Sequence, residues 1–337
     1  MVCGMSSSSA SKPLLQNGVS PSKVGVPAHT QLSAIEFLSQ KFPAIQREVW
    51  QQRFDAGSVL NAMGQSIAPS HSVFGESHLL YFRHVADEPV LPFKAQIIFQ
   101  DNYLVVADKP HFMPVTPGGQ YVQQSLLVQL KQQLNLPELS PIHRIDRETA
   151  GLVVFSVRAQ DRDAYQAWFR LRQVEKTYEA IAGVPESSPF KLQFPLTLKS
   201  RLVEDAQFFR MRELGADEIQ GGEIWNSETW IDCIERLDGN ASVMPTLTTS
   251  PPALARYVLK PVTGQRHQLR VHMNALGLPL VGDQFYPVVK RAADAPDKFD
   301  APLQLLAKRI SFNDPLSQTP RNFESLQQLK PLQAAGS

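Results

Sequence analysis

The stretch His143–Leu152 reads HRIDRETAGL and places one carboxylate, Asp146, between two guanidinium groups, Arg144 and Arg147. The apolar run LVVFSV follows at once, so the acid stands at the mouth of a strand. A carboxylate can act as a covalent nucleophile when it stays ionised. Neighbouring arginines favour the ionised form and fix its orientation. The same arrangement also serves as an ordinary ion pair at a strand start, because structural pairs perturb pKa values too. On these residues alone, both readings stand.

Other chemistries lack their signatures. His267 and His272 are five apart, so they do not stack on one helix face, and no CxxC or HExxH is present. TPGGQ is not a phosphate-binding Walker loop, and neither GxGxxG nor GxSxG occurs. No metal is therefore expected.

The elements that must hold Asp146 follow from periodicity. QLSAIEFLSQKF and AIQREVWQQRF repeat apolar residues at helical spacing, and GSVLNAMGQSI and SHLLYFRHV then read as strands. AQIIFQDNYLVVADKP predicts two strands about an Asp101-Asn102 turn, and QSLLVQLKQQLNL a helix. After the Asp146 motif, DRDAYQAWFRLRQ predicts an amphipathic helix with Asp161 as N-cap. KTYEAIAGV, FRMREL, ETWIDCIERL and ARYVLKPV predict strands, and GQRHQLRVHMNALG a helix stopped by Gly277. A strand is expected near LPLVGD, and APLQLLAKRISF reads as a short helix followed by a strand. Irregular alternation of helices with antiparallel meanders predicts an α+β fold rather than a doubly wound parallel sheet.

With 337 residues, 43% of them hydrophobic, the chain can bury one large core or two smaller ones. Its 26 prolines exceed the usual share of roughly 5% and favour short connections. The net charge of +1 decides nothing about a nucleic-acid partner, because binding follows the local field. The distribution is uneven: residues 253–292 carry six Lys/Arg against one acid, and residues 201–240 four against ten. The acidic stretch 204–238 reads as a solvated rim in preference to a partner surface. Two cysteines, Cys3 in a Ser-rich start and Cys233, do not make a disulfide framework, which fits a reducing compartment. No run approaches the roughly 18 apolar residues of a membrane span, and the start lacks the apolar core of a signal peptide. A cytoplasmic monomer without membrane contact is expected. Residues 1–28 read as a disordered tail.

Four blocks together resemble the RluA-type RNA pseudouridine synthases: DNYLVVADKPHFMPVTPGG, HRIDRETAGLVVFS, RLRQVEKTYEAIAGV and TGQRHQLRVHMNALGLPLVGDQFY, in family order across roughly residues 93–287. The chain departs from the family pattern at Ile145 (usually Leu), Ala150 (Ser), Gln265 (Arg) and Arg266 (Thr). Residues 29–90 are similar, more weakly, to an S4-like RNA-binding module, although residues 31–60 balance three Lys/Arg with three acids. The resemblance implies a pseudouridine synthase catalytic domain over 91–330, with a mixed, mainly antiparallel sheet and flanking helices.

The family breaks the N1–C1′ bond of a uridine and joins C5 to C1′, so no cofactor is implied. The resemblance gives Asp146 the catalytic role, Tyr178 a place against the uracil with help in removing the C5 proton, and Arg270 the pairing with the catalytic carboxylate. It gives Arg144 the space left by a flipped base. His143, Arg147, Lys176, Arg266 and His267 stand as contacts to the RNA. The implied partner is a structured ribosomal or transfer RNA. Two other readings are a catalytically silent RNA-binding or chaperone member, against which the intact Asp146, Tyr178 and Arg270 stand, and a glycoside hydrolase. The latter needs two facing carboxylates, and no second candidate acid is singled out in the motifs.

Overall fold

The computed structural model describes residues 14–83, 85, 87–206, 210–215, 218, 225–237, 253–290 and 299–330. The chain divides into two compact units. One comprises residues up to Val90 together with Thr116–Glu138, and the other Leu91–Val115 with Leu139 onward.

The first unit holds β1 (Ser22–Gly25), α1 (Ala34–Lys41), α2 (Arg47–Asp55), β2 (Val59–Leu60), β3 (His78–Tyr81) and α3 (Leu126–Leu134). Its antiparallel sheet runs β1-β3-β2. The apolar faces of α1 and α2 bury Leu38 and Trp50 against Val59, Leu79 and Tyr81, as their helical spacing requires. At the head of α1 the Ser33 N–H donates to Glu36 Oε2 at 2.9 Å, half of a capping box.

Two features differ from the sequence expectation. Part of the expected tail is a strand, because Ser22–Gly25 pairs with His78–Tyr81; residues 1–13 of that tail lie outside the described residues. The segment carrying α3 belongs to this unit, although it falls within the domain expected over 91–330. The Glu88 carboxylate accepts the N–H groups of Val122, Gln123 and Gln124 at 2.7–2.8 Å and anchors the segment just ahead of α3. These are loop donors ahead of the Ser125 N-cap, which would otherwise lack a partner within the segment.

The second unit is built on a mixed sheet. Its strands are β4 (Gln96–Gln100), β5 (Leu104–Lys109), β6 (Ser140–Pro141), β7 (Ala150–Ser156), β8 (Val174–Gly183), β9 (Leu196–Ser200), β12 (Ser227–Leu237), β13 (Leu254–Pro261), β14 (Leu305–Asn313) and β15 (Pro320–Glu324). The order is β4-β5-β7-β14-β8-β13-β12-β9, with β15 on β14 and β6 on β7. A separate hairpin pairs β10 (Leu202–Glu204) with β11 (Met211–Glu213). Helices α4 (Arg162–Arg170) and α5 (Gln268–Ala275) complete the unit. This is the α+β, mainly antiparallel architecture that the sequence predicts.

One pairing is parallel: β14 meets β7 through Leu306↔Ala150 and Ala307↔Gly151. Gly151 makes that contact possible. Its φ is +110°, and a Cβ there would lie 2.3 Å from the Ala307 carbonyl oxygen; only glycine tolerates both conditions. β7 is buried along its whole length, as its continuous apolar run predicts.

Smaller departures have local causes. Asp161 occupies the N-cap position of α4, but its carboxylate binds Arg158 instead of capping. LPLVGD contributes an isolated bridge, Ala182↔Leu280, not a strand. APLQLLAKRISF forms β14 without a preceding helix. Of the acidic stretch, residues 207–209, 216–217, 219–224 and 238 lie outside the described residues. Among its described acids, Glu218 is paired with Arg212 and Glu228 with Lys199.

Candidate active site

Asp146 lies in the loop before β7, with its side chain 24% exposed. Arg270 reaches it from α5, which is buried on every side over Gln268–Met273. Arg270 Nη1 donates to Asp146 Oδ2 at 3.3 Å and stands 3.9 Å from Glu148 Oε2. The other edge of the guanidinium is clamped: Nε and Nη2 donate to the two oxygens of Asp283 at 2.8 and 2.7 Å. Asp283 also accepts the N–H groups of Phe285 and Tyr286, and both of those rings lie within 5.5 Å of the Arg270 guanidinium. The Arg270 side chain is 1% exposed. Burial alone would lower its pKa, but Asp283, Asp146 and Glu148 together raise it, so it stays a cation.

Around this pair sits a rigid floor. Burial would raise the Glu148 carboxyl, but Arg147 and Arg270 outweigh it and hold it below the usual range. His111 Nδ1 donates to the Glu148 carbonyl at 2.7 Å; burial pushes its ring down to about 4, so it is neutral. Lys109, fully buried at the end of β5, donates Nζ to the carbonyls of Pro110 and Arg147 at 3.0 Å. Burial lowers it to about 7, against the pull of Glu148 and Asp146. Tyr178 lies on the central strand β8, between Ala307 and Leu259. Burial first, and the Asp146 charge second, push its phenol up, so it keeps its proton at neutral pH.

The sequence-predicted residues separate into groups. Asp146, Arg270 and His267 converge. His267 is not an outward phosphate contact: it is 8% exposed, with Nε2 4.0 Å from Asp146 Oδ2 and Nδ1 3.0 Å from the Tyr286 hydroxyl. It adopts a left-handed backbone, φ 55°, at the head of α5, a strained conformation that its surroundings must enforce. Burial lowers its pKa despite the neighbouring Asp146.

His143 also turns inward. Its Nε2 accepts the Val154 N–H at 3.1 Å, its ring stacks on Phe169 at 4.7 Å, and burial pushes it down to about 3. A neutral, stacked ring whose Nε2 is already filled offers no charge to a phosphate, so its expected RNA contact is replaced by a structural one. Arg147 is turned onto Glu148, at 2.9 and 3.1 Å. Lys176 Nζ props the Thr263 carbonyl at 3.4 Å, and burial lowers it to about 8. Arg266 is exposed and leans on the Arg210 carbonyl and Glu204. Arg144 is exposed and makes no hydrogen bond or ion pair among the described residues.

The model of the RNA pseudouridylate synthase family matches residues 103–275, about half of the chain. The chain belongs to the RluA-type RNA pseudouridine synthases. It is an isomerase acting on RNA uridine. The chain is 32% identical over 203 residues to the dual-specificity RNA pseudouridine synthase RluA of Haemophilus influenzae, covering 59% of this chain and 79% of that one. It is 31% identical over 233 residues to tRNA pseudouridine synthase C of Vibrio vulnificus, covering 66% and 86%. An uncharacterised RNA pseudouridine synthase of Synechocystis is 27% identical over 256 residues, covering 75% and 78%. Human RNA pseudouridylate synthase domain containing 1 shares the fold, with a TM-score of 0.52, 21% identity and coverage of 72% of this chain and 86% of its own.

In this synthase family member, sequence reasoning missed Asp283, Glu148 and Lys109. All three lie inside the matched blocks, in GDQFY, HRIDRE and VADKP, so the signal was present. A second and a third carboxylate therefore do stand near Asp146, contrary to the sequence reading. Neither suits glycoside hydrolysis, which needs a protonated acid: Glu148 is held ionised, and Asp283 is filled by four donors.

Proposed function

We propose that the chain converts a uridine of a structured ribosomal or transfer RNA to pseudouridine, with Asp146 as nucleophile after the base is flipped out. The observation that carries this reading is the Asp283–Arg270–Asp146 chain. It fixes a buried cation against the most exposed carboxylate of the three around Arg270. That cation holds the orientation of the Asp146 carboxylate. Relatives named for dual specificity and for tRNA support a structured RNA as substrate.

In the step, Asp146 oxygen bonds C1′ as the N1–C1′ bond breaks and its electron pair passes to uracil N1. The base turns, C5 bonds C1′, and the Asp146 carboxylate leaves. The C5 proton is lost and N1 gains one, so atoms balance without a cofactor. Tyr178 contributes a flat apolar face and a hydroxyl. Burial and the Asp146 charge keep that hydroxyl protonated, so its help with the C5 proton comes as a neutral phenol. Arg144, exposed and unpaired among the described residues, carries a planar cation suited to stack where the flipped uridine stood.

Single-turnover conversion of RNA from cells lacking this gene tests the reading. Asp146→Asn is expected to lose at least about a thousand-fold in rate, the scale seen when a covalent nucleophile is removed. Equal conversion by both proteins would sink the nucleophile. Wild type that binds RNA and converts no site would favour the silent RNA-binding reading.

A further inference from the structure

The first unit contains a cleft of about 230 Å³ whose arginines meet no acid among its described lining residues. Arg53 on α2 and Arg83 after β3 both line it, with Asn17, Gln52, Ser58 and Gln123. Among the described residues, no lining side chain is acidic. The Arg53 guanidinium lies over the Trp50 ring at 4.6 Å, and its Nε and Nη1 are buried without a hydrogen-bond partner. Burial lowers its pKa; Tyr81 opposes this and Arg83 adds to it. Glu88 accepts the backbone N–H groups of Val122, Gln123 and Gln124 and is not among the groups whose charge acts on Arg53.

Buried N–H groups in native proteins almost always find partners, and two guanidinium groups repel unless an anion lies between them. We propose that this cleft binds a phosphate of the RNA backbone, clamped between Arg53 and Arg83. The planar fork of arginine matches phosphate oxygens, and the amides of Asn17, Gln52 and Gln123 can add neutral donors. A second acid-free cleft of about 190 Å³ adjoins the first through Val19 and Arg83 and is lined by Lys131 and Ser20. Two such clefts sharing one arginine suit a chain of phosphates better than a single free ion. The RNA identity rests on the synthase reading above; the phosphate chemistry does not.

The test uses the full chain and unfractionated transfer RNA as probe, with affinity measured by fluorescence anisotropy over a range of salt. Arg83→Gln is the main variant, since that side chain is exposed and its loss leaves the core intact. Arg53→Lys keeps the charge and removes the fork; circular dichroism checks that it folds. Each variant should weaken binding about three- to ten-fold near physiological salt, and Arg83→Gln should make the slope of log affinity against log salt shallower by about 0.7–0.9, one phosphate contact. The double variant Arg53→Gln/Arg83→Gln should lose no more slope than Arg83→Gln alone, because both groups hold one phosphate.

Unchanged slopes would overturn the proposal. A double variant that loses about twice the single change would overturn the shared clamp in favour of separate surface contacts. Melting in inorganic phosphate separates the sources: an ion that raises the wild-type melting temperature while Arg83→Gln binds RNA like wild type would mean a free-anion site and overturn the RNA assignment. Pseudouridine formation by wild type is followed in parallel. Its absence with altered slopes would sink the synthase reading alone; its presence with unchanged slopes would sink the cleft alone.

Discussion

Arg270 and Arg53 are both guanidinium groups packed over aromatic rings, at 5.2 Å from Phe285 and 4.6 Å from Trp50. Their charges are answered in opposite ways. Three carboxylates surround Arg270 and raise its pKa against burial. Among the described residues no acid lines the cleft of Arg53, and burial lowers its pKa, with Tyr81 opposing and Arg83 adding to it. The first arrangement is finished in the folded chain: donors and acceptors stand in place before substrate arrives, so little reorganisation is left for the reaction. The second has donors to spare and gains its counter-charge from outside. A filled cluster therefore points to chemistry on a held group, and an unfilled one to capture of an anion.

The sharpest way to break that contrast is Arg270→Met. It removes the cation shared by Asp146, Glu148 and Asp283 and leaves Asp283, which is 2% exposed, without its ion pair. A loss of about 3–5 kcal/mol is expected in urea unfolding, together with loss of conversion. A variant as stable as wild type would show that the cluster is not a paired unit. Asp283→Asn is the milder form: it keeps the shape but removes the charge-assisted clamp. A destabilisation of about 1.5–3 kcal/mol is expected, with slower single-turnover conversion at saturating RNA because Arg270 is freed to wander.

Acid should act through the buried histidines. His111, His143 and His272 are pushed down by burial to about 4, 3 and 4, from 6.5. The unfolded chain binds these protons first, so the stability gained by keeping the rings neutral is full above about pH 6.5 and is lost as pH falls toward 3 to 4. Melting temperature should therefore fall steadily below pH 6.5, and His143→Gln should flatten the decline. A flat profile between pH 6.5 and 4.5 would count against neutral buried rings. The smallest effect belongs to the other region. Arg83→Gln should change stability by no more than about 0.5 kcal/mol, as an exposed side chain with no ion pair does; a large loss would mean that the cleft is already filled from within.

Periodicity made much of the framework legible. The expected helix α3 forms, with Leu126 and Leu130 buried but Val128 and Lys131 in place of Leu127 and Leu134, and alternation along β13 gives the pattern of one covered face. Short-range pattern could not place α3 in the first unit, because that depends on Glu88 meeting Val122–Gln124 across more than thirty residues. It could not show β14 beside β7 either, since parallel neighbours are set by a long crossover rather than a turn. The strand Ser22–Gly25 was hidden by its Ser- and Pro-rich setting; pairing with β3 supplies the order that its composition lacks.

At the site, the sequence by itself determined which groups are available. Asp146, Tyr178, Arg270 and the acids of GDQFY and HRIDRE are read directly from the chain, and Gly151 from the tight entry to β7. Only the tertiary structure decided what each faces. It turned His143 onto Phe169, set His267 beside Asp146 instead of toward solvent, and gave Arg270 its clamp in Asp283. The physical reason is that residue type fixes charge and hydrogen-bonding capacity, whereas burial and distance fix which partner satisfies them. Both of those arise only when segments far apart in sequence pack together.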